Sequence, residues 1–135
     1  MSVTEENKNV VLAFFGAVGS GGDPTALLAD DLAYWIAGKP EQFPLAGSHS
    51  KEGFYQVMSV IGANMPNGVD VKINNIVAEG DQVVVETEVH GVSATGKAYD
   101  NKVVFVFTVR DGKLVSVREY LDTIHANEVL AENVA

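Results

Sequence analysis

The chain changes its hydrophobic period near Gly68: apolar residues recur mainly at helical spacing before it and at alternate positions after it. Val10, Phe14, Ala17 and Val18 form a stripe, widened by Val11 and Phe15, that predicts an amphipathic helix. Ser2-Val3-Thr4-Glu5 supplies a capping box at its start and Gly19-Ser20-Gly21-Gly22 a stop. Asp23-Pro24 then predicts a short helix to about Ala29, followed by a strand from Leu32 to Ala37. Gly38 to His49 carries Pro40 and Pro44 with no regular period; a loop of this length in a small domain is usually functional or mobile. Ser50 caps the next helix, whose buried stripe is Phe54, Val57, Met58, Ile61 and Met65, and Pro66-Asn67-Gly68 ends it.

From there the period is two. Strands are expected over Val69 to Ala78, Gln82 to Val92, Ala98 to Arg110 and Lys113 to Asp122, with a short closing helix from Thr123 to about Leu130. Helices segregated from antiparallel strands define an α+β domain, a curved meander sheet wrapped around a long first helix.

The last hairpin holds the most informative residue. Its turn, Arg110-Asp111-Gly112, allows two registers. A two-residue Asp-Gly turn sets Val103 beside Tyr120 and Phe105 beside Arg118. A three-residue turn with a bulged Gly112 sets Val103 opposite Glu119, Phe105 opposite Val117 and Phe107 opposite Val115. The second gathers Val103, Phe105, Phe107, Val109, Val115, Val117 and Leu121 on one face, and this cleaner segregation makes it the expected register. Glu119 is then the one ionisable group on the apolar face. A carboxylate there is expensive unless partnered, so its pKa should rise toward neutrality and a proton could come and go. Asn101, expected opposite Leu121, lies diagonal to Glu119 and can donate an amide hydrogen bond. The competing reading is a carboxyl that is merely paired or that reaches solvent at the sheet's rim.

Composition narrows the function classes. The 135 residues and 14.4 kDa suit one domain spanning 1–135, with 47% hydrophobic residues and a net charge of −9. An acid balance of this size argues against nucleic acid or anionic membrane as partner. Without cysteine, thiol nucleophiles and thiolate metal sites are excluded, and neither His49 nor His125 has partners at metal-ligand spacing. No apolar stretch approaches the roughly 20 residues that span a bilayer, and the expected compartment is the cytoplasm. On the strand Gln82 to Val92, hydropathy turns Glu86, Glu88 and His90 to solvent; were that face to line a cavity, Glu88 and His90 would form an acid–base pair candidate near Glu119. Tyr34 and Trp35 alternate, so one of them faces inward; a tryptophan here is more often simply core, and Tyr34 fits either side.

The element order, with Leu28-Ala29-Asp30-Asp31, Thr95-Gly96-Lys97-Ala98-Tyr99, Asp111-Gly112-Lys113-Leu114 and Arg118-Glu119-Tyr120-Leu121-Asp122, resembles the nuclear-transport-factor-2-like superfamily over nearly the whole chain. That superfamily includes ketosteroid isomerases, SnoaL-like polyketide cyclases and limonene epoxide hydrolases. The resemblance implies a cone-shaped, cystatin-like fold, a water-poor pocket between concave sheet and helices, and a homodimer. The oxyanion-hole tyrosine of the isomerases falls at Phe15 and their base near Ile36, so that machinery is not kept. The Arg-x-Asp pair of the epoxide hydrolases falls at Glu86 and Glu88, their last-strand aspartate at Glu119, their water-holding tyrosine at Tyr34, and its asparagine companion at Ile36. The late acidic residue of SnoaL-like cyclases matches Glu119 or Asp122. The expected function is therefore a cofactor-free, metal-free acid–base enzyme on a small apolar molecule. Glu119, Glu88 and His90 are the catalytic candidates, and Tyr34, Trp35, Asn101, Val103, Val117 and Leu121 the substrate contacts. The alternative is a non-catalytic domain of the same fold that binds a hydrophobic ligand or only dimerises.

Overall fold

The computed structural model describes residues 2–130. Helix α1 (Val3–Gly19) starts where Ser2 accepts a hydrogen bond from the Glu5 amide, as the capping box requires. Asp23-Pro24 opens only a single 3-10 turn, Thr25–Leu27, and strand β1 starts at once, running Leu28–Ile36. The expected helix to Ala29 is thus replaced by strand: Leu28 and Ala29 are buried, Leu28 by pairing against Leu114. The proline-bearing loop contains a further short strand, β2 (Gly47–His49), paired with β1. Helix α2 (Lys51–Asn64), capped by Ser50, is followed by β3 (Val69–Glu79), β4 (Gln82–Val92), β5 (Ala98–Arg110), β6 (Lys113–Tyr120) and helix α3 (Thr123–Leu130).

All the strands join one six-stranded sheet in the order β2-β1-β6-β5-β4-β3. Every pairing is antiparallel except β1 with β6, which lie parallel. α1 crosses the face that carries Val83, Val85, Phe107 and Val117, all essentially without solvent contact, and seats Val11 and Phe14 on it. Burying one such side chain contributes roughly 1.5–3 kcal/mol. Phe14, Phe15, Phe105 and Phe107 meet in edge-on and stacked contacts at 5.2–5.8 Å, which hold the helix against β5.

The β5–β6 hairpin takes neither expected register throughout. Asp111 (φ 52°) and Gly112 (φ 76°) both adopt the left-handed region, giving a two-residue turn flanked by Arg110 and Lys113. Continued without interruption, that register would turn Arg118 and Tyr120 inward. Instead Val109 pairs with Leu114 while Thr108 pairs with Ser116, leaving Val115 as the extra residue of a β-bulge. Beyond it Phe107 faces Val117 and Phe105 faces Glu119. Val103 is therefore not the partner of Glu119, and Leu114 takes the buried place expected for Val115. The inward face of Val117 and Glu119 survives because the bulge reverses parity once.

Candidate functional site

Glu119 sits in the middle of the sheet, between Phe105 on β5 and Ile36 on β1, with its carbonyl oxygen accepting from the Ala37 amide at 2.9 Å. Both neighbouring strands hold its backbone, so its side chain projects from the concave face in a fixed direction. Oε1 accepts a hydrogen bond from the Tyr34 hydroxyl at 2.6 Å. Tyr34 reaches it because it pairs with Val117, two residues earlier on the same face of β6. The Tyr34 ring is held between Phe54 at 5.2 Å and His49 at 5.7 Å and is 1% exposed.

Burial pushes the Glu119 carboxyl up to about 7 from an ordinary 4.5, against the Tyr34 hydrogen bond, which lowers it. The same burial, with the Glu119 charge beside it, lifts the Tyr34 phenol well above 10, so Tyr34 keeps its proton and is the donor in this bond. The surface that half-buried Glu119 does expose belongs to a cavity of about 810 Å³ between the concave sheet and the helices. Phe14, Phe15 and Val18 of α1 and Phe54, Met58 and Ile61 of α2 form one side; Val89, Val103, Phe105 and Leu121 form the other. Glu119 and Asp23 are the two carboxyl groups of the described lining. Asp23 lies at the exposed rim, bonded to the Thr25 hydroxyl and amide, and those bonds hold it below the usual carboxylate range. The Thr25 hydroxyl also meets the Tyr55 hydroxyl there.

A second polar group enters the cavity at the base of β5. Tyr99 is 3% exposed, lines the cavity, and lies under the stacked ring of His125 at 5.2 Å. Its hydroxyl oxygen accepts from Asn101 Nδ2 at 2.9 Å. Burial raises this phenol to about 12. Sequence reading placed Tyr99 only in a fold mark, although it shares the alternation of Asn101, Val103 and Phe105 and thus the inward face.

Several expected site residues lie elsewhere. Glu88 and His90 are on the convex face: Glu88 accepts from Asn74 at 2.9 Å, and His90 Nδ1 lies 3.1 Å from Asp100. They form no acid–base pair beside Glu119, because Val85, Thr87 and Val89 take the inward positions of β4. Glu86, bonded to Asn75 at 3.0 Å, is likewise outside. Trp35 also points outward and packs on Tyr120 at 5.3 Å, leaving Tyr34 as the inward member of that pair. Asn101 does not reach Glu119; its amide is taken by Tyr99 and by the backbone of Asp122. Val103 and Leu121 line the cavity, whereas Val117 is buried beneath it. Among the described residues no group of three or more His, Asp or Glu could hold a metal ion, and no helix is long and apolar enough to cross a membrane.

Residues 11–117 match the SnoaL-like domain family. The chain belongs to that family, within the nuclear-transport-factor-2-like superfamily. Among solved structures, an NTF2-like protein from Burkholderia xenovorans LB400 is 29% identical, with 94% of this chain and 97% of that one covered and a TM-score of 0.75. An LEH-like epoxide hydrolase from M. tuberculosis is 24% identical (98% and 95% covered, TM-score 0.75). TerC, crystallised with polyporic acid, is 21% identical (94% and 99% covered, TM-score 0.77). The last two share the fold. No curated protein matches the sequence.

Proposed function

We propose that this protein is a cofactor-free acid–base enzyme, of isomerase, cyclase or hydrolase type, acting on a small and largely apolar molecule held in the cavity. The observation that carries this reading is a lone carboxyl in the cavity interior whose pKa is about 7, so that both protonation states are populated near neutrality. Tyr34 engages Oε1, and no hydrogen bond among the described residues engages Oε2, which leaves one oxygen available to a bound molecule. The cavity volume falls in the roughly 300–1,000 Å³ range of small-molecule sites. An LEH-like epoxide hydrolase and a protein co-crystallised with polyporic acid, both on this same fold, are consistent with such a ligand.

Glu119→Gln preserves shape and removes the exchangeable proton. On any compound of a panel of small ketones, enones and epoxides that the parent converts, turnover should drop about 100- to 10,000-fold. Unchanged turnover with an intact fold would refute the role. If the domain only binds, no panel compound is converted, and Glu119→Leu binds apolar ligand as well as the parent does. The assembly proposed with this function is a homodimer; a monomer by sedimentation at micromolar concentration would overturn that part.

A further inference from the structure

The amide of Asn101 is locked in one orientation. Its Oδ1 accepts from the Asp122 amide at 3.2 Å while its Nδ2 donates to the Asp122 carbonyl at 3.0 Å. This two-point contact with one backbone residue leaves only an N–H of Asn101 to face Tyr99, at 2.9 Å. The Tyr99 oxygen is therefore an acceptor in that bond and cannot spend its own hydrogen there. Among the described residues nothing accepts that hydrogen. A buried hydroxyl with an unspent donor is uncommon unless something else receives it, and Tyr99 is one of the residues that line the cavity.

The ring itself cannot swing away. The His125 imidazole stacks on it within 11° of parallel, and Nε2 of that imidazole accepts from the Asp100 amide at 3.0 Å, which pins the stack to the strand that carries Tyr99. The donor is thus preorganised by two groups: Asn101 at the hydroxyl and His125 on the ring face. The Glu119 charge also helps to raise the Tyr99 phenol, after burial.

We infer that Tyr99 is the hydrogen-bond donor that recognises an oxygen of the bound molecule, with Asn101 as its positioning residue. The ligand class follows: an apolar skeleton bearing a carbonyl or similar acceptor oxygen, placed so that the same molecule also meets Glu119. This rests on the cavity being the ligand site, as proposed above. Because burial holds the phenol near 12, Tyr99 remains a donor across the range in which Glu119 titrates. A hydrocarbon of the same shape fills the cavity but leaves the donor unmatched, and the polar group then discriminates against it.

The test compares 2-acetylnaphthalene with 2-isopropylnaphthalene, which lacks the oxygen, at pH 9, where Glu119 has no proton to donate. The parent should bind the ketone roughly 3- to 10-fold tighter than the hydrocarbon, with the bound carbonyl stretch at lower wavenumber than in a hydrocarbon solvent. Tyr99→Phe should erase both the preference and the band shift while still binding both compounds. Placing 3-fluorotyrosine at position 99, a stronger donor of nearly the same shape, should move the band further. Persistence of preference and shift in Tyr99→Phe, or no response to 3-fluorotyrosine, overturns the assignment. Equal binding of the two compounds by the parent also overturns it but leaves the cavity reading standing. If neither compound binds the parent, the cavity reading fails and this assignment falls with it.

Discussion

The hydroxyl of Tyr34 and the carboxyl of Glu119 meet at 2.6 Å across the one parallel pairing in the sheet. The contact joins the first strand of the chain to the last, 85 positions apart. It decides how far burial can push the acid: desolvation favours the neutral carboxyl, and the phenol donor partly restores the charged one.

That balance makes a prediction for Tyr34→Phe. Loss of the donor removes the influence that lowers the Glu119 pKa, so its midpoint should move to higher pH than in the parent. A carboxyl titration by NMR in the variant checks the direction; a midpoint at or below the parent's contradicts the balance.

Stability should follow the same group. The folded protein binds the Glu119 proton more tightly than the unfolded chain, so the favourable contribution is complete below about 4.5 and lost as pH rises through about 7. Ionisation of this one buried group should cost on the order of 3 kcal/mol by pH 8. Glu119→Gln has nothing to ionise there. In urea unfolding at pH 5 and pH 8, the advantage of the variant over the parent should grow between the two values; a constant difference would contradict the burial of the acid.

Much of this was legible in the sequence, and the parts that were not share a cause. Alternation identified the meander, the apolar inner face and Glu119 as its exception. It could not choose between Tyr34 and Trp35, because both are large and aromatic and a strand pattern fixes parity only relative to a known neighbour. The bulge at Val115 leaves no compositional mark: Val115 is as β-prone and apolar as Leu114, and only the pairing shows which is spare. Asn101 was placed on the correct face, yet its partners depend on how the chain turns at Asp122 into α3, a tertiary fact. Tyr99 could have been found by extending the inward set two residues back from Asn101.

The bulge carries a prediction of its own. Deleting Val115 removes the spare residue, so Leu114 and Ser116 become consecutive and the Phe107–Val117 and Phe105–Glu119 pairings continue unbroken, with Glu119 still inward. The deletion should keep cooperative unfolding, read by near-ultraviolet circular dichroism, and a raised Glu119 midpoint; loss of either would contradict the placement of the bulge at Val115. Asp111→Val tests the turn: a β-branched residue at φ 52° should cost about 1–2 kcal/mol in urea unfolding, with the structure retained.

The convex-face residues serve as a control. Glu88→Gln and His90→Gln should leave turnover within about two-fold of the parent, since general acid–base work requires hydrogen-bond reach of the substrate. A loss of ten-fold or more in either would mean that ligand binds the outer face.

The most direct measurement is the titration of the Glu119 carboxyl carbon by NMR in the unliganded parent, with Glu119→Gln assigning the signal. A single midpoint near 7 is predicted. A midpoint in the ordinary glutamate range, about 4.3, would show a carboxyl bathed in water and contradict the account of the site.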